Sequence, residues 1–238
     1  GGMLLYAYEI AYGCEHLASG TTLGAPPGFI DIHQNLPRSS GILIQAFARL
    51  GDHILRAFAP VVPIIRPNFT MVPVNWQNMN RAVGSAAFFN FTDCVPLPVA
   101  AELAFWMSSG HWRMLDDEID VVADLDTLET PLFTLFGQHD VLVPLSTATR
   151  FFNALPGRKK QMAILSVENG YSADYNHLDL LFAANAVDEV YEPIVEWIQA
   201  HPVEGWYTVD ADEESAEERP DEMPLPEADP ARKSPAAK

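Results

Sequence analysis

The hydrophobic and polar positions of this chain change rhythm several times along its length. Residues 3–12, MLLYAYEIAY, hold one charge, Glu9, and are apolar around the whole helical circumference. That pattern predicts a helix covered on all sides and stopped by Gly13. Residues 17–23 read as a short strand that runs into a Gly-Ala-Pro-Pro-Gly loop. From about 31 to 126 the period becomes helical, broken by prolines 37, 60, 63, 67, 73, 96 and 98, with no convincing strand. Leu43, Ile44, Phe47, Leu50, Ile54, Leu55 and Phe58 line one face of a long helix. Pro98 suits the first position of another over 99–107, ended by Ser108-Ser109-Gly110.

The rhythm changes again at 131–144, PLFTLFGQHDVLVP. A short apolar run that stops at Gly137 and delivers one carboxylate, Asp140, reads as a buried parallel strand whose C-terminal end carries function. Residues 146–155 follow as a helix capped by Ser146 and ended by Pro156-Gly157. Residues 161–166 are the next strand and 167–176 a loop. A final helix over about 186–200, capped by Asn185, shows Val187, Val190, Tyr191, Ile194, Trp197 and Ile198 at helical spacing, with Pro193 expected to kink it. Strand, acid, helix, strand, histidine, helix is a parallel α/β order.

Composition narrows the function classes. The 238 residues suffice for one domain with an insertion, and 48% hydrophobic residues fill its core. The expected organisation is an α/β core from 1–30 and 127–205, a helical cap from 31–126, and a disordered acidic tail from 209–238. A formal net charge of −18 repels phosphate backbones and anionic headgroups, so neither nucleic acid nor a polybasic membrane contact is expected. Residues 210–238 contribute ten acids against four bases, a net of −6. Cys14 and Cys94 lack CxxC spacing and read as free, buried thiols, which favours a reducing, cytoplasmic compartment. Prolines 60, 63 and 67 and Arg66 interrupt the best apolar run, so no transmembrane segment is expected.

Two segments carry candidate chemistry: Asp140 after one strand, and His177 in Asp174-Tyr175-Asn176-His177-Leu178-Asp179. A histidine can take and return a proton near neutral pH, while a buried carboxylate holds its tautomer and stabilises the imidazolium. Asp174 and Asp179 flank His177 and compete for the acid role, with Asp31 a more remote rival. His139 adjoins Asp140, and a structural role is expected for it. Asp116-Asp117-Glu118-Ile119-Asp120 lacks the glycine and terminal glutamate of a calcium loop, and His33, His53 and His111 form no i, i+4 pair, so no metal is expected. No G-x-G-x-x-G or phosphate loop occurs, and no cofactor is implied. Trp76, Phe88, Phe89, Phe91, Phe105, Trp106 and Trp112 either line an acyl pocket or form cap core.

Residues 137–144, GQHDVLVP, resemble the acid segment of α/β-hydrolases; 175–181, YNHLDLL, resemble the histidine segment of the lipase and esterase branches; 194–198 resemble the closing helix. Gly1-Gly2 before an apolar helix resembles the end of a G-x-S-x-G nucleophile elbow. The resemblance spans 1 to about 201. It implies an α/β-hydrolase fold with Asp140 as orienting acid, His177 as general base, and a serine just upstream of Gly1. No serine of the chain stands in the elbow pattern: Ser85 follows Gly84 but is followed by Ala86-Ala87, and Ser19 follows Leu17-Ala18. The oxyanion hole would lie upstream as well, so residues 1–238 alone are expected to be inactive. The implied function is hydrolysis of a carboxylic ester with an apolar, lipid-like acyl part. Acyl transfer on the same fold and a non-catalytic binding protein are the alternatives.

Overall fold

The run Leu132–Gly137 is buried at every position and forms the middle of a parallel sheet. Such a strand needs apolar side chains on both faces, because helices cover each side. The computed structural model describes residues 2–26, 62–65, 73–80, 82–84, 86, 98–99, 102, 105–106, 109–114, 118–157 and 159–202, all within the unit Gly1–Glu204. The elements in chain order are α1 (Gly2–Tyr12), β1 (Gly20–Leu23), a helical turn Val62–Ile65, β2 (Arg113–Met114), β3 (Ile119–Asp120), β4 (Leu132–Gly137), α2 (Leu145–Ala154), β5 (Lys160–Leu165), α3 (Asp179–Phe182), a π-helical turn Val187–Tyr191, and α4 (Glu192–Ala200). The main sheet has order β1-β4-β5, with Gly20 opposite Leu132 and Leu132 opposite Lys160; both pairings are parallel. The chain is therefore a mixed α/β protein.

Alternate residues of β4 feed two cores. Leu132 and Phe136 face a cluster with Tyr6 and Ala7 of α1 and Ala148 and Phe151 of α2. Phe133 and Leu135 face Leu165, Tyr175, Leu180, Ala186 and Val190 on the other side. Phe151 is ringed by Tyr6 at 5.3 Å and Phe136 at 6.5 Å between centroids. Each such side chain, fully buried, contributes about 1.5–3 kcal/mol, and together they pin both helical layers to one strand. Two buried polar contacts add register on the α1 side. The Tyr6 hydroxyl meets Thr22 Oγ1 at 2.9 Å, and the Glu9 carboxylate accepts the backbone N–H groups of Glu129 and Thr130.

Several sequence expectations change in detail. Helix α1 is not covered all round: Leu4, Tyr8 and Tyr12, one stripe at i, i+4 and i+8, are exposed. Strand β1 starts at Gly20, because 14–17 close a turn through the Leu17 N–H and the Cys14 carbonyl. Cys14 is free and only half-buried, with Sγ 3.9 Å from Glu129 Oε2. Helix α2 starts at Leu145, with no side-chain cap; the Pro144 carbonyl takes the N–H groups of Thr147 and Ala148 instead. Its far end is held by Lys160, whose ammonium donates to the carbonyls of Phe152 and Leu155 at 2.7 Å each.

Strand β5 begins and ends one residue before the expected 161–166. The Pro193 kink takes the form of the π turn, in which the Glu192 N–H reaches the Val187 carbonyl. Pro193 then sits in the first turn of α4, where its missing N–H is not needed. The region expected to lack strands contains the two-residue antiparallel pair β2–β3. Gly110, at φ +75°, ends the helical residues before it by donating to the Trp106 carbonyl. Trp106 is buried and stacks on Trp112 at 5.2 Å, as core aromatics do; Phe105 is exposed. The long helix expected around 43–58, Cys94, Phe88, Phe89, Phe91 and the tail from 209 lie outside the described residues. Among the described residues no helix is long and apolar enough to cross a membrane.

Gly137 ends β4 where the chain returning from β5 crosses it. A β-carbon there would lie 2.5 Å from the Tyr175 carbonyl oxygen and 2.8 Å from its carbon. Backbone cannot yield as a side-chain tip can, so Gly137→Ala is expected to destabilise the fold by about 1–3 kcal/mol. Urea unfolding checks this, and an unchanged midpoint would mean that the crossing is not tight.

Candidate active site

The C-terminal ends of β1, β4 and β5 open on the same side, as parallel pairing requires. Three loops meet there. From β5 the chain makes a turn at 166–170, with Gly170 at φ +90°, and comes back to the sheet at Tyr175. The Tyr175 N–H donates to the Leu165 carbonyl, which also accepts from Gln138, while the Tyr175 carbonyl accepts from His139. The acid loop and the histidine loop are thus joined through main chain before any side chain is considered.

Those bonds set Asp140 and His177 side by side. His177 Nδ1 lies 2.7 Å from Asp140 Oδ2; the Asp140 carboxyl is fully buried and the His177 side chain is 26% exposed. Asp140 Oδ1 accepts the N–H groups of Leu142 and Val143, both at 2.8 Å, so its two oxygens have separate tasks. Because a carboxylate only accepts, Nδ1 carries the ring proton, and Nε2 of the neutral ring is left as the acceptor. Gly24, at φ +55°, passes under the ring: a β-carbon there would be 2.9 Å from His177 Cε1 and Nδ1. A side chain at 24 would push the imidazole off its carboxylate. Beside this loop lies the start of α1, since a β-carbon on Gly2 would meet that of Ala25 at 2.8 Å.

A second set of polar groups surrounds the pair. Asn176 is fully buried, and its Oδ1 accepts from the His177 N–H at 2.8 Å and the Val141 N–H at 3.2 Å. It ties His177 to the residue after Asp140. Asp179, also fully buried, accepts from the N–H of Asn75 on Oδ1, and from Asn78 Nδ2 and the N–H of Asn176 on Oδ2. Burial pushes its carboxyl up to about 6 against those three hydrogen bonds, and the charge of Asp140 acts in the same direction. The Tyr175 hydroxyl donates to Glu189 in the π turn at 2.5 Å; burial and that carboxylate hold the phenol above its ordinary value.

The rivals of Asp140 are engaged elsewhere. Asp174 Oδ1 accepts the Val167 N–H, and its Oδ2 lies 3.4 Å from His139 Nε2, a pair at the loop surface. Asp179 faces Asn75, Asn78 and Asn176 rather than the imidazole. Asp31 lies outside the described residues. Asp120, from the acid-rich 116–120 stretch, pairs with His111 at 2.5 Å and accepts the N–H groups of Trp112 and Val122, which folds the β2–β3 hairpin.

Gly24, Asn75, Asn78 and Asn176 adjoin the pair or its hydrogen-bond network without having been assigned from the sequence, and Asp179, expected only as a rival acid, joins that network. Gly24 had a usable signal, a glycine directly after a strand. Asn75 and Asn78 had none, because nothing local marks them as neighbours of residue 179.

Asp179 carries a pH signature. Its folded value of about 6 lies above the ordinary 3.8, so the folded state binds its proton more tightly than the unfolded chain does. The corresponding stability is present below about pH 4 and is lost as pH rises through about 6. In urea unfolding across this window, the stability of the wild type relative to Asp179→Asn is expected to fall with rising pH and then level off. A difference that stays constant would mean that Asp179 ionises as it does in the unfolded chain.

No protein-family model matches the chain, and no curated protein matches it. Among solved structures, it is similar to the esterase RhEst1 from Rhodococcus sp. ECU1013, with a TM-score of 0.43 and 15% sequence identity over 85% of this chain and 63% of that one. The chain thus spans less than two thirds of the length of that esterase.

Proposed function

We propose that Asp140 and His177 are the acid and base of a serine-type hydrolase of the α/β-hydrolase kind, acting on carboxylic esters. The observation that carries this reading is the 2.7 Å contact between His177 Nδ1 and a fully buried Asp140, with the ring partly open to solvent. Both residues lie just past the C-terminal ends of adjacent parallel strands, where α/β folds place their chemistry. A histidine held by a carboxylate on one nitrogen is oriented to accept a proton on the other.

A serine nucleophile is inferred from the resemblance to α/β-hydrolases. The start of α1 lies against Ala25, next to the Gly24 that underlies the imidazole. Such a serine would pass its proton to Nε2 as its oxygen attacks the ester carbonyl. Collapse of the tetrahedral intermediate breaks the ester C–O bond, and His177 returns the proton to the departing alcohol. Water, deprotonated by the same ring, then hydrolyses the acyl-enzyme to the acid and restores the serine. Asp140 is held by two backbone N–H donors and by this ring, so its orientation toward Nδ1 is fixed. An apolar acyl group is the favoured substrate part, from the resemblance of the histidine segment to lipases.

The test uses a polypeptide that carries that serine together with residues 1–238. A fluorophosphonate probe is expected to label it at a serine. His177→Ala should slow labelling roughly 10³-fold or more, and Asp140→Asn by a comparable factor through the wrong tautomer. Labelling of His177→Ala at the wild-type rate would remove His177 from the base role.

A further inference from the structure

We propose that Asp179 is a positioning residue for His177, and that segment 73–80 is the lever through which it acts. This rests on the reading of His177 as the base. Four links join the segment to the histidine loop on both sides of the ring. Ahead of it, Asn75 Nδ2 and Asn78 Nδ2 donate to the Asp174 carbonyl at 3.2 and 2.8 Å. Directly after it, the Leu178 N–H donates to the Pro73 carbonyl at 2.8 Å. Then comes the Asp179 carboxylate, with Asn75 N–H at 2.9 Å and Asn78 Nδ2 at 3.0 Å. Farther on, the Ala184 N–H donates to the Asn78 carbonyl at 2.7 Å. Val74, Met79 and Leu178 seal the contact as a small apolar cluster of their own.

Asp179 is the member that transmits this grip to the ring. Its Oδ2 also holds the Asn176 N–H at 2.9 Å, and the Asn176 side chain holds the N–H of His177 and that of Val141 in the acid loop. Hydrogen bonds therefore lead from segment 73–80 to the His177 backbone through Asn78, Asp179 and Asn176. Every donor to Asp179 is an N–H group, so only an atom that accepts at both positions completes the set. An amide at 179 with its carbonyl oxygen in the Oδ2 position would keep Asn78 and Asn176 but turn its NH2 toward the Asn75 N–H, so one of the two holds on segment 73–80 is lost. A carboxylate that only capped the local 176–179 turn would need Asn176 alone; bonds to residues about a hundred positions earlier have no part in such a cap.

The consequence is that whatever shifts segment 73–80 shifts the His177–Asp140 geometry. A displacement of about 1 Å in a catalytic group can cost on the order of 10²-fold in rate.

The test reads the ring directly, without substrate or nucleophile. In the ¹⁵N-histidine-labelled chain, the proton on His177 Nδ1 gives a strongly deshielded signal, assigned by its loss in His177→Gln. Asp179→Asn, which loses the Asn75 bond, is expected to shift or broaden it. Asn78→Ala, which leaves the carboxylate two of its donors, is expected to shift it. In the unlabelled polypeptide that carries the serine, with a p-nitrophenyl ester as substrate, both variants should lose kcat by about several-fold, with KM within about twofold. A signal at the wild-type position in Asn78→Ala would overturn the lever, and one unchanged in both variants would overturn the positioning role of Asp179. If Asp179→Asn does not fold, Asn78→Ala decides. A shifted or broadened signal in these variants alongside undiminished probe labelling of His177→Ala would leave the clamp standing and sink the base assignment alone.

Discussion

The carbonyl oxygen of Tyr175 occupies the space that a β-carbon on residue 137 would fill, and the geometry of the site depends on that crossing. It brings the chain leaving β4 and the chain returning from β5 to van der Waals distance. Buried backbone groups must find partners, and here they find each other: Tyr175 and Gln138 both donate to the Leu165 carbonyl, and His139 donates to Tyr175. Asp140 follows the crossing by three residues on one strand, His177 by two on the other. Their 2.7 Å contact is thus a consequence of main-chain hydrogen bonding rather than of attraction between the two side chains. A surface ion pair would have no such support and would contribute little.

Around the crossing, amide side chains do most of the joining. Asn75, Asn78 and Asn176 each connect segments far apart in sequence, and each presents donors and acceptors without adding charge to a region that already holds two buried carboxylates. Leaving one such group unpaired would cost about 1–3 kcal/mol, so the network specifies one arrangement of the loops. The apolar layers beneath it, built on Phe136 and Phe151 on one face and Leu135 and Val190 on the other, fix the strands but not the loops.

What could be read from the sequence follows from how local each signal is. The apolar run ending at Gly137, the amphipathic 146–155 stretch and the strand before Ser166 announced β4, α2 and β5 within a residue, because a two-faced buried strand and a one-faced helix have distinct periods. The Asp140 and His177 loops were legible as polar breaks after strands. Helix α1 was misjudged: an all-apolar sequence need not be buried all round, and Leu4, Tyr8 and Tyr12 are exposed. The π turn was legible only as a kink at Pro193, since the sequence marks where a bond is lost but not how the backbone recovers it. The links from Asn75 and Asn78 to Asp179 were not legible at all; they depend on where a long insertion folds back, which no local pattern records.

The two buried carboxylates beside the imidazole loop, Asp140 and Asp179, differ in what surrounds them, and the difference is instructive about their roles. Asp140 faces a titratable ring and two backbone donors, so a charge appearing on the ring is answered by a carboxylate already in contact with it. The groups that reach Asp179 are three neutral N–H donors, which stabilise its charge less than burial disfavours it, and its carboxyl is pushed up to about 6. Carboxylates with environments that diverge in this way take different tasks. One is suited to stabilising a proton that moves onto the neighbouring ring. The other is suited to holding loops, and the repulsion between them makes the second sensitive to the charge on the first. A cation forming at His177 would offset the Asp140 charge and so relieve part of the pressure on Asp179. In this way the hydrogen-bonded clamp and the proposed proton transfer are electrostatically coupled as well as mechanically joined.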